Sequence, residues 1–233
     1  MARTVKEEKY VVRRNEILAS AQRLVQTKGY EQMSIQDILD ERHMSKGAFY
    51  HYFDSKHDLL EAIVFQRMEG IEQIITPIIQ DTTLSAIEKF QAYFASASNW
   101  KVSQKPFLMD LLRVWYNDDN AIVRQKITAR MVVEVTPFMI DIIQQGVREG
   151  VFNVTYPRQI GEVVLSIIQS YGEALVMKLL AFNRQPDNPQ DLIDSVGAYN
   201  EAIERILGMS RGSLNLFNFG MIEEWMVTSE EKT

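Results

Sequence analysis

The sequence predicts an all-α fold in two parts, a small N-terminal three-helix head followed by a larger helical bundle. Three observations carry that prediction. Apolar residues recur at helical spacing along nearly the whole chain. Glycine and proline are scarce, 11 and 6 of 233 residues, which disfavours short strands joined by tight turns. Ser34, Ser45 and Ser55 each precede a helical run, where a serine hydroxyl accepts a bond from an otherwise orphan amide.

The first helix is expected over about Val11 to Lys28, with Ile17, Leu18, Ala21, Leu24 and Val25 on one side, and Gly29 placed to end it. Ser34 caps a second, with Asp37 three residues on in a weak capping box and Ile35, Ile38 and Leu39 as its apolar side. Arg42-His43-Met44 is the turn, and Ser45 caps a third helix of about Lys46 to Phe53. A fourth, capped by Asp54-Ser55, runs to Pro77. Further helices are expected over about Leu84–Trp100, Pro106–Tyr116, a segment ending at Arg148 with a distortion at Pro137, Pro157–Phe182, Gln190–Leu207 and Leu216–Val227. Residues 184–189 read as a loop and Gly208 to Asn215 as a linker. The eighth helix is apolar around most of its circumference, which places it at the centre of a bundle or at a subunit interface.

Hydrophobic residues make up 46% of the chain, enough for a sizeable core. The absence of cysteine excludes disulfides, thiolate metal sites and cysteine nucleophiles and fits the cytoplasm. The N-terminus lacks the apolar stretch of a signal peptide, and no uninterrupted apolar run approaches the ~20 residues of a membrane span. A cytoplasmic protein is expected. The net charge of −6 is unevenly spread. Residues 1–60 hold 10 Lys/Arg against 9 Asp/Glu, and the remainder 15 against 22. A near-neutral head on an acidic body suits a protein that meets phosphate at one end only.

The third helix carries the chemistry. Phe49 and Phe53 share its inner side, whereas Lys46, Tyr50 and His51 fall on the outer side. A helix entering the DNA major groove needs small residues at its N-terminus and long polar ones behind them. Ser45, Gly47 and Ala48 meet the first demand; Lys46, Tyr50 and His51 meet the second. Ser34 and Lys56 begin the flanking helices, and Thr27 and Lys28 end the first near the same surface, so helix N-termini and basic side chains converge there on phosphates.

Ile17-Leu18-Ala19-Ser20-Ala21, Lys28-Gly29-Tyr30, Ser34-Ile35-Gln36-Asp37-Ile38, Met44 to Phe53 and Ser55 to Leu60 resemble the DNA-binding domain of the TetR family of bacterial transcription regulators. The family commonly has Ala-Gly where Arg42-His43 stands, and histidine tolerates the left-handed region better than most residues. The resemblance implies a helix-turn-helix DNA-binding domain at 1–55 and a helical effector-binding and dimerisation domain at 56–233. It also implies a homodimeric repressor released from a near-palindromic operator by a small-molecule effector. The dimer contact is expected through the eighth and ninth helices, which carry surplus apolar surface.

The expected effector pocket draws on Phe94, Trp100, Phe107, Met109, Trp115, Tyr116, Phe138, Tyr171 and Met177, apolar walls with a few polar tips. For any single one of these residues ordinary core is the commoner role. The three histidines, His43, His51 and His57, match no metal spacing, and no nucleophile–base pair stands out, so neither metal, cofactor nor enzymatic activity is expected. Two alternatives stay open: an all-α regulator controlled by a protein partner, or a helical enzyme or binding protein that does not bind DNA.

Overall fold

The computed structural model describes residues 2–184, 188–217 and 219–226, all of them helices and connections without a strand. The helices are α1 (Ala2–Lys28), α2 (Ile35–Arg42), α3 (Lys46–Tyr50), α4 (Lys56–Gln80) and α5 (Ala86–Ser103). They continue with α6 (Lys105–Trp115), α7 (Ala121–Arg148), α8 (Pro157–Arg184), α9 (Gln190–Ile206) and α10 (Phe219–Glu223), with a 3₁₀ turn at Asp118–Asn120. The chain forms two compact units, 1–70 with 104–130 and 71–103 with 131–233. Both α4 and α7 contribute to each.

Four boundaries differ from the expected ones. α1 begins at Ala2 rather than near Val11. α3 spans only five residues and gives way at His51. α4 passes through Pro77 to Gln80, and the Asp81 amide donates to the Pro77 carbonyl at 3.0 Å. Lys89 then reaches back to cap this end, its buried ammonium donating to the Ile79 carbonyl at 2.8 Å. α10 is a single turn rather than a helix of twelve residues. Its expected end at Val227, and residues 185–187 of the expected loop, lie outside the described residues.

In the first unit, Ile17, Leu18, Ala21 and Val25 of α1 meet Ile38 and Leu39 of α2, Phe49 and Phe53 around α3, and Leu59, Leu60 and Ile63 of α4. Phe107 and Leu111 of α6 and Val123 and Ile127 of α7 complete that core. Burying one such side chain contributes about 1.5–3 kcal/mol, so these contacts hold the short α3 in place although five residues cannot form a stable helix alone.

The second unit packs α5, α7, α8 and α9 around Phe90, Met139, Ile142, Ile143, Val164 and Ile203. α7 and α8 cross closely at Gly161, where an added Cβ would lie 2.9 Å from Ile140 Cγ1 and 3.2 Å from its backbone. The segment read as a linker after α9 is packed instead. The buried Glu204 carboxylate accepts from the Gly212 amide at 2.9 Å and the Leu214 amide at 2.8 Å, which seats Leu214 and Leu216 in the core. Asn200 bonds both the amide and the carbonyl of Phe217 just beyond. An acid in the last turn of a helix gives no local sign that its partners are loop amides eight and ten residues on.

α8 is long and apolar enough over Pro157–Phe182 to cross a membrane by length and composition, although Ser166, Gln169, Ser170 and Glu173 interrupt every long apolar run. Only 17% of its most apolar window is buried within the chain. It packs on α9 through Tyr171, whose ring centroid lies 4.5 Å from that of Tyr199. The other side of α8 exposes Val163, Ser166, Ser170, Met177 and Ala181.

Candidate nucleic-acid interface

The backbone around α3 is set by two serine caps and one left-handed residue. Ser34 Oγ accepts from the Asp37 amide at 3.2 Å, and Asp37 Oδ2 accepts from the Ser34 amide at 2.7 Å, a complete capping box. Ser45 Oγ accepts from the Ala48 amide at 3.2 Å. Between them His43 closes α2 with φ 49°, ψ 47°, the left-handed conformation expected at that turn. Its amide returns to the Asp40 and Leu39 carbonyls, so the turn is satisfied without glycine.

This geometry divides α3 sharply. Phe49 is fully buried and Phe53 nearly so. Ser45, Lys46, Gly47, Ala48, Tyr50 and His51 form one exposed strip. A Cβ added at Gly47 would meet nothing in the chain within 4 Å. The Lys46 ammonium stands 6.0 Å from the Tyr50 ring centroid and has no carboxylate partner among the described residues. His51 turns its ring edge-on to Tyr52 at 5.1 Å and to Tyr10 of α1 at 5.7 Å.

The remaining expected DNA-facing residues lie around this strip but are engaged by the scaffold. Thr27 donates its hydroxyl to the Arg23 carbonyl at 3.0 Å. The Lys28 ammonium pairs with Asp37 at 2.8 Å. That bond first, and the Ser34 amide and hydroxyl next, hold the Asp37 carboxyl well below its usual range. Ser34 spends both sides of its hydroxyl on Asp37. Lys56 lies over the Tyr30 ring at 4.4 Å and donates to the Glu31 carbonyl at 3.1 Å. Burial pushes its ammonium down, against the opposing pull of Glu31 and Asp37. Burial likewise pushes the Tyr30 hydroxyl up to about 12.

Contacts of Tyr10 and Arg14 with this surface are absent from the sequence-based list. Tyr10 packs on Tyr52 at 4.9 Å, and the Arg14 guanidinium lies 4.8 Å over Phe53. The signal was present, because Tyr10, Arg14 and Ile17 fall at i, i+4 and i+7.

The nine expected pocket residues are dispersed. Phe107 and Trp115 belong to the core of the first unit, and Phe94 to that of the second, against Phe90, Tyr93 and Phe217. Trp100, Met109, Tyr116 and Phe138 are half-buried. Tyr171 is buried between Tyr199 and Phe217, its hydroxyl without a hydrogen-bond partner among the described residues. Met177 is exposed on α8, where its position on the helix turns it away from the core. A groove of about 660 Å³ does lie between α7 and α8, with Val132, Pro137, Ile140 and Leu165 as apolar wall and Asp141, Arg158 and Glu162 at its edge. None of the nine lines it.

Comparison with known proteins agrees with this arrangement. The profile of the bacterial regulatory proteins of the tetR family matches residues 17–63, and that of the tetracyclin repressor-like C-terminal domain matches residues 114–201. Together they span more than half of the chain. An uncharacterised HTH-type transcriptional regulator of Lactococcus lactis is 45% identical over 51 residues, which is 22% of this chain and 26% of that protein. The HTH-type transcriptional repressor DhaR of Mycobacterium sp. strain GP1 is 22% identical over 161 residues, 68% of this chain and 78% of its own. The crystal structure of a TetR-family transcriptional regulator from Pectobacterium atrosepticum superposes with a TM-score of 0.59 at 17% identity, covering 88% of this chain and 98% of that one, and so shares the fold. Members of this family bind DNA operators and dimerise, and they are not an enzyme class. The chain belongs to the TetR family of bacterial regulatory proteins and is a DNA-binding transcriptional regulator.

Proposed function

We propose that this regulator is a cytoplasmic homodimeric repressor whose α3 enters the major groove of a near-palindromic operator and which a small-molecule effector releases. The division of labour is residues 1–55 for DNA and 56–233 for effector binding and dimerisation. The observation that carries this reading is the two-sidedness of α3: Phe49 and Phe53 anchor it from within while Lys46, Gly47, Ala48, Tyr50 and His51 are exposed to solvent. One such head reads few base pairs, and two heads about one DNA turn apart, ~34–36 Å, double the contacts.

The direct DNA contacts belong to Ser45, Lys46, Gly47, Ala48, Tyr50 and His51. Thr27, Lys28, Ser34 and Lys56 sit at the rim and act chiefly by fixing the caps and helix ends that present backbone amides to phosphate. The dimer forms through α8 and α9. In support, α8 exposes Val163, Met177 and Ala181 and leaves Ile167, Leu175 and Leu180 only partly covered, and Ile193, Gly197 and Ala198 of α9 are exposed. The effector binds in the second unit. The Tyr171 hydroxyl, buried among aromatic rings without a hydrogen-bond partner among the described residues, is the polar tip best placed to meet it among the nine residues named above. Coupling would run along α4, which carries the chain from the head into the second unit, with a typical strength of about 1–3 kcal/mol.

The test is the salt dependence of duplex binding. Lys46→Ala should lower the slope of log K against log salt by about one per protomer, because a free ammonium releases one counterion from phosphate. Lys56→Ala should instead lower thermal stability and change the slope little. A Lys46→Ala slope equal to that of the wild type would remove Lys46 from the interface.

A further inference from the structure

We propose that Tyr10 of α1 is a positioning residue for DNA recognition: its ring holds the His51 imidazole at the end of α3 in the orientation that meets the duplex. The inference rests on the DNA-contacting role of His51 proposed above. It extends that role to a residue outside the matched family region, which begins at residue 17.

His51 needs such a support. It is the C-cap of α3, with φ −72° and ψ −21°, and its side chain is exposed. An exposed imidazole at a helix end turns about two side-chain bonds unless its neighbours close off the rotamers. Ordering it on DNA would then oppose binding, and a ring already held in place avoids that loss.

Two tyrosine rings do the holding. Tyr52, the next residue, lies 5.1 Å from the His51 ring at an interplanar angle of 76°. Tyr10 lies 5.7 Å away at 87°. Tyr10 and Tyr52 also pack on each other at 4.9 Å, so the three rings close a triangle. Edge-to-face pairs at these separations are attractive and directional, because a ring edge carries positive charge and a ring face negative charge. Tyr52 is a chain neighbour of His51 and moves with it. Tyr10 comes from another helix and ties the pair to the rest of the head.

The register of α1 places Tyr10 there. Ile17, Arg14 and Tyr10 follow at successive turns on one side of the helix. Ile17 is fully buried, the Arg14 guanidinium lies 4.8 Å over Phe53, and Tyr10 meets Tyr52 and His51. Each turn of α1 toward its N-terminus thus meets a residue closer to α3. Tyr10 itself keeps 37% of its surface exposed, so it adds little to the core beside what Ile17 buries.

The experiment is a double-mutant cycle on affinity of the full chain for its preferred duplex, with a thermal melt of each variant. Tyr10→Ala should weaken binding roughly 2- to 10-fold, as loss of one directional ring pair does. Tyr10→Phe should bind as the wild type, because the rings and not the hydroxyl make the contacts. In a His51→Ala background Tyr10→Ala should have no further effect, since the ring then has nothing to hold. Tyr10→Leu keeps an apolar cover on Tyr52 without the ring; it should bind like Tyr10→Ala and serves in its place if that variant melts early. Equal losses in the two backgrounds overturn the proposal, because Tyr10 would then touch DNA itself or act only on the fold. Wild-type affinity of Tyr10→Leu overturns it too. If His51→Ala binds as the wild type while Lys46→Ala lowers the salt slope, the support by Tyr10 fails and α3 keeps its place in the groove. If the wild type itself prefers no duplex, the role of α3 fails and that of Tyr10 with it.

Discussion

Gly47 separates folding from recognition more cleanly than any other residue of the head. It lies inside a helix, exposed, with open space where a Cβ would stand. Within the chain alone, Gly47→Ala should therefore raise stability by roughly 0.5–1 kcal/mol. Against DNA the added methyl occupies the closest point of approach, so affinity should fall while the melting temperature rises. Calorimetry and duplex titration on the same variant check both signs. Asp37 gives a pH handle. Its carboxyl is held low by Lys28 and by Ser34, so its contribution is fully present above the unfolded value near 3.8 and is lost as pH falls toward the folded one. The stability difference between wild type and Asp37→Asn should shrink below about pH 4 in denaturation curves taken across that range. The outward residues of α3 were legible because they follow from its own register and caps. That Lys28, Ser34 and Lys56 are held by the scaffold was not wholly legible. The Lys28 partner lies nine residues away and the Lys56 partner 25 residues away, and only the fold brings them together.

Among the elements, the local signals that served best were serine caps and glycine stops. Ser34, Ser45 and Gly29 all stand where expected, and Gly29 takes φ 79° past the end of α1. The same rule overlooked Ser85 and Glu88, which cap α5 reciprocally through bonds of 2.8 and 3.3 Å. Proline misled in the other direction, since α4 continues past Pro77. The apolar circumference of α8 stood out in the sequence, and within one chain Val163, Met177 and Ala181 stay exposed while Ile167, Leu175 and Leu180 are only partly covered. A charge placed there should separate the subunits. Val163→Asp combined with Met177→Asp should leave helicity unchanged, halve the mass seen in sedimentation and abolish tight duplex binding, because two heads no longer share one assembly. A double variant that remains dimeric would move the interface elsewhere.

At the scale of the whole molecule, the head carries a sequence signature and the body does not. Recognition of a groove constrains residue types at fixed positions, so residues near 17–63 read clearly even from a single chain. A bundle constrains only apolar volume, so aromatic residues of the body looked alike whether they line a pocket or fill a core. The fold resolves part of that ambiguity by placing Phe94 and Phe107 in separate cores and Met177 outside both. The central claim is that this surface enters duplex DNA twice per assembly. Its most direct test is to select duplexes from a random pool with the full-length protein and weigh the resulting complex. The account predicts an inverted repeat with half-sites about one turn, ~34–36 Å, apart, bound by two chains. Enrichment of no sequence over the starting pool at moderate salt, or one chain on an asymmetric site, would contradict it.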